Sequence, residues 1–290
     1  IRIVLRHLLA RPAARRANGH TDQHVQADHA DQHADTGGPI GVARELADLA
    51  DATIDAQLWA RPPGLPFAVV AMGKHGGREL AFSSDLDVIF VHDGEQHRGE
   101  SAAQAVLREI GGTSEATRAW EIDARLRPEG NQGVLARSLA SYRRYYAEWA
   151  QPWERQALIK ARVCAGDAAV GAAFSALRDE VSFGRPISEA ERAELLHIKR
   201  RVETERLRHA DERHLHLKLG PGGMVDVEFT VQLLQLTHGH ADASLRSPTT
   251  LDALDALVAA GHVTGDDAAA LAASYRFCDL ARNALYLRSA

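Results

Sequence analysis

The residues most able to do chemistry in this sequence are two aspartates separated by a single residue, Asp85 and Asp87. An apolar run follows them, and we predict that residues 85–91 form a β-strand that begins with carboxylates. Because side chains alternate between the two faces of a strand, both carboxylates point to the same side and repel each other. A bound divalent cation relieves that repulsion, so the pair predicts a metal site.

The stretch just before the aspartates adds a place for phosphate. Residues 67–72 have the length and β-branched content of a buried strand. We expect Gly73, Gly76 and Gly77 to turn the chain sharply and to present bare N–H groups that suit a phosphate. Since Mg²⁺ takes carboxylate oxygens together with phosphate oxygens and water, the whole stretch predicts a metal–nucleotide site. A βαβ turn with two surface aspartates is the alternative interpretation.

A third carboxylate lies further along the chain, in a segment that alternates as a strand does. We predict a strand over residues 120–128, ended by Pro128. Its polar face would carry Asp123, Arg125 and Arg127. In a metal–triphosphate site, Asp123 would complete the coordination of the metal while the arginines offset phosphate charge. The alternative is a solvated sheet face held by cross-strand ion pairs.

The composition excludes several classes of function. The chain has 290 residues, 45% of them hydrophobic and 25% charged, as in an ordinary globular protein. Its net charge of -5 argues against a broad grip on nucleic acid and against a template-directed polymerase. No apolar run approaches the ~20 residues that a membrane span needs. Cys164 and Cys278 are interpreted as buried free thiols, which suit a reducing cytosol. We therefore expect a cytoplasmic protein that binds neither nucleic acid nor membrane.

The chain divides by composition into three parts. Residues 1–38 combine a basic helical segment with a His- and Asp-rich linker that we expect to be mobile. Residues 39–165 contain the predicted strands and form the α/β domain of the site, and residues 166–290 are predicted to be an all-α bundle. Because the chain starts at Ile1 without Met and its last helix reaches Ala290 without a cap, we also expect a fragment of a longer protein.

Outside the site, the apolar spacing predicts mainly helices. In the α/β domain the further predicted elements are helices at 39–60, 102–110 and 153–162 and a returning strand at 134–137. In the bundle the predicted helices cover residues 174–180, 187–209, 225–238, 249–260 and 266–288. Within residues 39–165, five residues at helical spacing are predicted to be core: Leu139, Tyr142, Tyr145, Tyr146 and Trp149. From residue 139 onward the strand signals fade and helix signals dominate.

A second glycine-rich turn opens one helix of the bundle. It runs through residues 218–223, and the helix that follows carries Asp226 and Glu228 in its first turns. Acidic residues there suit the helix macrodipole, which by itself explains them. In the functional interpretation, Lys218 and free N–H groups of the turn face the cleft between the two domains. Both interpretations are open at this point.

The glycine turn followed by Asp-x-Asp on a strand resembles the DNA polymerase beta-like nucleotidyltransferase superfamily. Several segments together resemble the glutamine synthetase adenylyltransferase family, and they occur in that family's order. They are residues 73–90, 123–133, 153–162, 218–229 and 231–239. The resemblance covers roughly residues 66–290. It implies a polymerase beta-like sheet domain followed by a C-terminal helical bundle.

The family enzyme contains two nucleotidyltransferase halves, and the resemblance implies that this chain is one of them. One half transfers AMP from ATP to a tyrosine of glutamine synthetase, and the other removes it by phosphorolysis to give ADP. We favour the transferring half of an actinobacterial-type member. The connection from Asp93 to Asp123 is short, and segments 121–130 and 216–223 look like the C-terminal half of such members. The removing half is the first alternative, and a non-catalytic binding module is the second.

The resemblance and the residues imply the same site. Asp85 and Asp87 would bridge two Mg²⁺ ions, and Asp123 would bind the catalytic one. ATP is the expected substrate, with nucleotide contacts from Lys74, Gly76, Gly77, Ser83, Ser84, Arg125 and Arg127. Glutamine synthetase is the expected protein substrate, and a PII-type signalling protein the expected partner through the full-length enzyme.

Overall fold

The computed structural model describes residues 39–112, 114, 118–207 and 215–289. The predicted helical segment and linker at 1–38 therefore lie outside the described residues.

Within the described residues, five strands form one mixed sheet around β1 and β2. The strands are β1 (Phe67–Ala71), β2 (Leu86–His92), β3 (Ile122–Asp123), β4 (Ala136–Ser138) and β5 (Arg162–Gly166). Strand β1 pairs antiparallel with both β2 and β5, while β3 and β4 pair parallel with successive parts of β2. The first two strands confirm the predicted ones to within a residue at each end. The predicted returning strand is confirmed as β4, shifted toward its C-terminus.

Helices follow the strands and fill the second half of the chain. They are α1 (Pro39–Ala60), α2 (Gly73–Gly76), α3 (Gln96–Gly111), α4 (Leu139–Glu148), α5 (Pro152–Leu158), α6 (Ala168–Phe183), α7 (Glu189–Arg206), α8 (Met224–His238), α9 (Thr250–Ala259) and α10 (Gly265–Ser289). Two begin with capping boxes: Gln151 and Glu154 at α5, and Ser188 and Glu191 at α7. The five helices predicted for the bundle are confirmed, three with longer and two with shorter bounds, and residues 208 and 209 of the predicted helix at 187–209 lie outside the described residues.

Both faces of the sheet are buried. Helices α1 and α3 cover the face that carries Phe67 and Phe90, whose rings stack with centroids 5.9 Å apart. Helices α4, α5 and α6 cover the opposite face, where Tyr142 is fully buried against Phe174. Tyr142 is thus a core residue as predicted, whereas Trp149 is 64% exposed and its prediction is wrong. The sheet is therefore fixed by apolar contacts from two sides.

A second core lies among α8, α9 and α10, and includes Leu254, Leu257 and Leu271. Helix α6, which our division at residue 166 assigns to the bundle, packs against β1 and β2. The division into 39–165 and 166–290 stays a prediction. Both cysteines are free thiols, as expected. Among the described residues, no helix combines the length and the hydropathy that crossing a membrane requires.

Two predicted elements are wrong in extent. The strand expected over 120–128 ends at Asp123, because the chain then turns and the Arg127 guanidinium donates to the Ala124 carbonyl at 2.7 Å. The helix expected over 153–162 ends at Leu158, and residues 162–166 form β5 on the edge of the sheet. Strand β5 is short, and it forms because it pairs with β1. Local periodicity in the sequence does not reveal such a pairing between distant segments.

The Gly76 position shows how tightly α2 packs against the chain before β5. A Cβ on Gly76 would lie 1.8 Å from the carbonyl oxygen of Lys160, so any side chain must push backbone apart. We expect Gly76→Ala to lower the free energy of unfolding by about 3 kcal/mol, measured by urea denaturation. Gly111→Ala is the matched control, because its Cβ would contact nothing within 4 Å. That variant should be unchanged or stabilised by up to about 1 kcal/mol. Equal stability of the two variants would contradict this packing.

Candidate active site

Three carboxylates meet at the start of β2, where β3 pairs with it. Asp87 and Asp123 are direct partners in the parallel pairing of these strands. The Leu86 N–H donates to the Glu121 carbonyl at 2.7 Å and fixes the register at this end. Asp85 and Asp87 are two residues apart and share a face. One oxygen from each of Asp85, Asp87 and Asp123 lies within 4.8 Å of the other two. The structure therefore brings together the three side chains that the sequence singled out.

Gly73 gives the Asp87 carboxylate its room. The backbone of Gly73 has φ +52°, a left-handed conformation that favours glycine. A Cβ at this position would overlap the Asp87 carboxylate, at 2.4 Å from Oδ2. The Asp87 carbonyl also accepts a hydrogen bond from the Met72 N–H at 2.8 Å. The residues just after β1 therefore contact both the backbone and the side chain of Asp87. Sequence reasoning assigned Gly73 a turn and a bare N–H group, although a glycine directly after a buried strand is also the signal of such a close approach.

The cluster is short of positive charge around Asp87. Burial raises the pKa of Asp87 to about 7, and the charges of Asp85 and Asp123 act in the same direction. By contrast, hydrogen bonds from Arg125 hold the pKa of Asp123 below its usual value. The Arg125 backbone N–H donates to Asp123 Oδ1 at 2.8 Å, and its Nε donates to Oδ2 at 2.7 Å. An all-oxygen donor set with incompletely balanced negative charge is the chemistry that fits a hard divalent cation.

We predicted that Arg125 and Arg127 share a strand face, but the structure places them differently. Arg125 is bound to Asp123, with its side chain 68% exposed toward solvent. Arg127 donates to the backbone carbonyls of Ala124 at 2.7 Å and Gly133 at 3.3 Å, and so it holds the turn after β3. The prediction that both guanidinium groups stand in line with Asp123 is therefore corrected. Arg125 alone is placed directly beside a carboxylate of the cluster.

The glycine turn after β1 is a short helix, and this changes the expected phosphate contacts. The Gly76 N–H donates to Met72 at 2.8 Å, and the Gly77 N–H donates to Gly73 at 3.1 Å. The prediction that these two N–H groups are bare is wrong, because the turn of α2 uses both. Gly76 instead allows close packing against the backbone before β5. A nucleotide contact by Gly76 or Gly77 is left without its expected donor.

The serines lie in the turn that leads into Asp85. Ser84 closes this turn, since its Oγ accepts the Ala81 N–H at 3.0 Å and its own N–H donates to the Ala81 carbonyl at 3.0 Å. Ser83 is exposed. Phe82 of the same turn donates its N–H to the Asn283 side chain of α10 at 3.1 Å, which anchors the turn to the bundle. Nucleotide binding by the two serines stays a prediction.

Lys74 lies in a buried lysine–glutamate cluster that consists of Lys74, Glu79, Lys160 and Glu228. The Lys74 ammonium lies 2.5 Å from Glu228 and 2.5 Å from the Tyr275 hydroxyl. Lys160 pairs with Glu79 and lies 3.6 Å from Glu228. The charge of Lys74 is thus balanced by glutamate inside the protein, whereas the sequence suggested an unpaired ammonium, and a nucleotide contact by Lys74 stays a prediction. Sequence reasoning missed the rest of the cluster, because its members are far apart along the chain.

The second glycine turn places Lys218 near the carboxylates. The charge of exposed Lys218 opposes the rise in the pKa of Asp87 and adds to the lowering of the pKa of Glu228. The N–H groups of the turn are not free, since that of Gly222 donates to the Asp226 carboxylate at 2.7 Å and that of Gly223 to the Gly220 carbonyl at 2.8 Å. The charge of Lys218 is therefore the feature of this turn that acts on the carboxylates.

A second group of potential metal ligands joins α1 to the sheet. It consists of Asp51, His75 and Cys164. Asp51 accepts from Arg162 at 2.6 Å through one oxygen and lies 2.8 Å from His75 Nε2 through the other. Because the guanidinium of Arg162 already neutralises Asp51, an added cation would be repelled. We interpret this group as an ion-pair network between helix α1 and strand β5.

Comparison with known sequences identifies the class of protein to which this fold and site belong. Residues 34–177 match the sequence profile of glutamate-ammonia ligase adenylyltransferase, and residues 196–290 match that of GlnD PII-uridylyltransferase. Both names describe nucleotidyltransferases. The first match includes all three carboxylates, Asp85, Asp87 and Asp123.

Several curated proteins of one name are similar in sequence to this chain. The chain is 44% identical over 229 residues to the bifunctional glutamine synthetase adenylyltransferase/adenylyl-removing enzyme of Leifsonia xyli, covering 77% of this chain and 22% of the relative. It is 46% identical to the enzyme of that name from Streptomyces avermitilis, covering 81% and 25%, and 42% identical to that from Mycobacterium tuberculosis, covering 85% and 25%. Residues 34–177 are thus a domain of the glutamate-ammonia ligase adenylyltransferase family. The chain spans about a quarter of the length of these relatives.

Because of the buried lysine–glutamate cluster, the free energy of unfolding is expected to depend on pH in the acid range. Burial acts to raise the pKa of Glu228, but Lys74 and Lys160 outweigh it and hold this pKa well below the usual value. A depressed carboxylate pKa stabilises the fold above the unfolded-state value, and this contribution is lost as the pH falls below it. We expect Glu228→Gln to be about 3 kcal/mol less stable than the parent at pH 7. Urea denaturation should show this difference shrinking between pH 7 and pH 3, and a pH-independent difference would contradict the charge balance described.

Proposed function

We propose that this chain is a nucleotidyltransferase that transfers AMP from ATP to a tyrosine of glutamine synthetase. The observation that carries the proposal is the convergence of Asp85, Asp87 and Asp123, with oxygens within 4.8 Å, inside a segment that matches an adenylyltransferase family. We also assign the sheet to the DNA polymerase beta-like nucleotidyltransferase fold. Support for this assignment comes from the carboxylate pair where β2 begins and the third carboxylate on its parallel neighbour β3.

We propose that the three carboxylates hold two Mg²⁺ ions. The fit rests on the donor set, since all three groups are carboxylates and Asp87 lacks a cationic hydrogen-bond partner among the described residues. When bound, Mg²⁺ supplies charge stabilisation at the phosphates and favours the ionised form of the attacking hydroxyl. Without a cation, three adjacent carboxylates favour protonation of one of them. The raised pKa of Asp87 agrees with this expectation.

The residues of the chain have separate tasks in this proposal. Arg125 keeps Asp123 ionised, so that the Asp123 carboxylate can accept the proton of the tyrosine hydroxyl. The tyrosine oxygen then bonds to the α-phosphorus of ATP, the bond from that phosphorus to the α,β-bridging oxygen breaks, and pyrophosphate leaves. Lys218, with its exposed ammonium, offsets charge on the leaving phosphates. Ser83, an exposed residue of the turn into Asp85, is proposed to contact phosphate oxygens.

The direction of transfer and the partners belong to the same proposal. We favour the transferring direction on the short connection between β2 and β3, with phosphorolytic removal of AMP as the alternative. Removal would use the same carboxylates, with phosphate as the attacking group. A PII-type signalling protein is the proposed regulator, supported by the match of residues 196–290 to GlnD PII-uridylyltransferase. The two free thiols support a cytoplasmic location.

Transfer of label tests the proposed function. The chain is incubated with glutamine synthetase, Mg²⁺ and ATP labelled at the α-phosphate, and label on the synthetase is counted. Asp87→Asn should fold normally and lower the transfer rate by about a hundredfold or more, because it removes a metal ligand. Asp93→Asn is the matched control, since Asp93 lies exposed just beyond the other end of β2.

Three outcomes would count against the proposal in different ways. Full transfer by Asp87→Asn would overturn the metal assignment. Loss of preloaded label from the synthetase only when phosphate is present would establish the removing direction. Co-elution with the synthetase without any reaction would favour a binding module.

Lys218 gives a separate prediction for the nucleotide. Replacement of Lys218 by Met removes one cation near the carboxylates and touches no metal ligand. We expect the KM for ATP to rise by roughly tenfold, because a charge-assisted contact to phosphate is lost, with a smaller change in kcat. Arg276→Met is a comparison that removes an exposed cation from α10. An unchanged KM in Lys218→Met would remove Lys218 from the site.

A further inference from the structure

The buried lysine–glutamate cluster connects the helical bundle to the segment that holds Asp87. Lys74 and Glu79 lie between β1 and β2, and Lys160 lies just before β5. The bundle contributes Glu228 from α8. Two neutral groups complete the contacts: the Tyr275 hydroxyl of α10 lies 2.5 Å from Lys74, and the Thr250 N–H of α9 donates to Glu79 at 2.6 Å. Three helices of the bundle, α8, α9 and α10, therefore contact the segment between β1 and β2.

The charges of the cluster balance, although all four side chains are largely removed from water. The two lysines face two glutamates, and the side-chain exposures of Lys160 and Glu79 are 7% and 9%. Lys160 has a raised pKa, because the two glutamates outweigh the effect of burial. Buried ion pairs add little net stability compared with apolar packing, and their best-attested use is to fix one arrangement of the parts they join. The cluster is thus suited to set a position.

The lysine–glutamate cluster is connected to the candidate metal site through Lys74 and Gly73. Lys74 follows Gly73 directly, and the Asp87 carboxylate lies over Gly73 where a side chain would be. Helix α2, which contains both residues, is only four residues long and has no side-chain N-cap. So short a helix has little stability of its own and depends on tertiary contacts for its place. A shift of Lys74 would therefore move the backbone against which Asp87 is held.

We propose that Lys74 and Glu228 are positioning residues for Asp87, through which the bundle sets the geometry of the metal site. The inference rests on the proposed function in one respect, namely that Asp87 binds a divalent cation. It adds that cation affinity is determined partly by a contact in a different part of the fold. Residues that support metal ligands from outside typically change metal affinity by 10–100-fold when they are replaced.

The experiment measures Mn²⁺ binding to the 290-residue chain by electron paramagnetic resonance, with neither ATP nor protein substrate present. Lys74→Met is the decisive variant, because charge and position predict opposite results. Loss of a nearby positive charge alone would tighten Mn²⁺ binding. Loss of the contact with Glu228 should weaken it, by about tenfold. Circular dichroism at the same temperature establishes that each variant is folded.

Two further variants separate position from charge and from general loss of stability. Glu228→Gln should also weaken Mn²⁺ binding by about tenfold. Glu191→Gln is its matched control, since it removes one negative charge and a largely buried partner of Arg155 at a different place in the helical region. Mn²⁺ affinity should be unchanged in that control. Equal weakening in both variants would overturn the proposal, because it would follow from charge alone.

If the charged variants do not fold, Tyr275→Phe removes only the hydroxyl that contacts Lys74 and should still weaken binding by several-fold. Unchanged or tighter Mn²⁺ binding in folded Lys74→Met, or unchanged binding in Tyr275→Phe where Lys74→Met does not fold, would overturn the proposal. The metal assignment is checked in the same titration through Asp87→Asn. Equal binding by the parent and by Asp87→Asn would overturn the metal site itself, a failure distinct from that of the positioning contact.

Discussion

The parallel pairing of β2 with β3 is the constraint on which the rest of the site depends. It places Asp87 opposite Asp123, while the strand period places Asp85 on the same face as Asp87. Like charges at this separation repel, and the partial burial of Asp87 strengthens that repulsion. A fold that holds such groups together must stabilise them by other means. Apolar contacts on both faces of the sheet provide that stabilisation.

The supports around the carboxylates come from different parts of the chain. Gly73 leaves space for the carboxylate of Asp87, and Arg125 keeps Asp123 ionised. The bundle reaches the same region through Glu228 and Lys218. In this arrangement the sheet supplies the ligands while the bundle supplies charge and position. The site is therefore a property of both halves of the described structure.

The sequence was sufficient for the residues whose signal is local. The two central strands, the helices of the bundle and the carboxylates Asp85 and Asp87 follow from apolar periodicity and spacing. Asp123 was also found, although its strand is much shorter than the alternation suggested, because the turn held by Arg127 interrupts it. Local pattern shows which face a side chain takes, but the length of a strand depends on what its neighbour can pair with.

What the sequence could not provide is pairing between distant residues. Lys74 is a basic residue beside glycines, which suggested phosphate, and only the fold brings Glu228 to it. The N–H groups of Gly76 and Gly77 were expected to be bare, because a glycine-rich segment does not reveal that it closes a helical turn. Strand β5 escaped notice for a related reason, since its place is defined by β1. Each of these corrections concerns a partner that is fixed by tertiary structure.

The central claim, that three acidic side chains bind a divalent cation beside a nucleotide, is tested most directly by crystallography. A crystal soaked with Mn²⁺ and a non-hydrolysable ATP analogue would be measured at the manganese absorption edge. The account predicts anomalous density in contact with oxygens of Asp85, Asp87 and Asp123, with the triphosphate of the analogue adjoining it. Anomalous density elsewhere, or a bound analogue with no metal at these oxygens, would contradict the account.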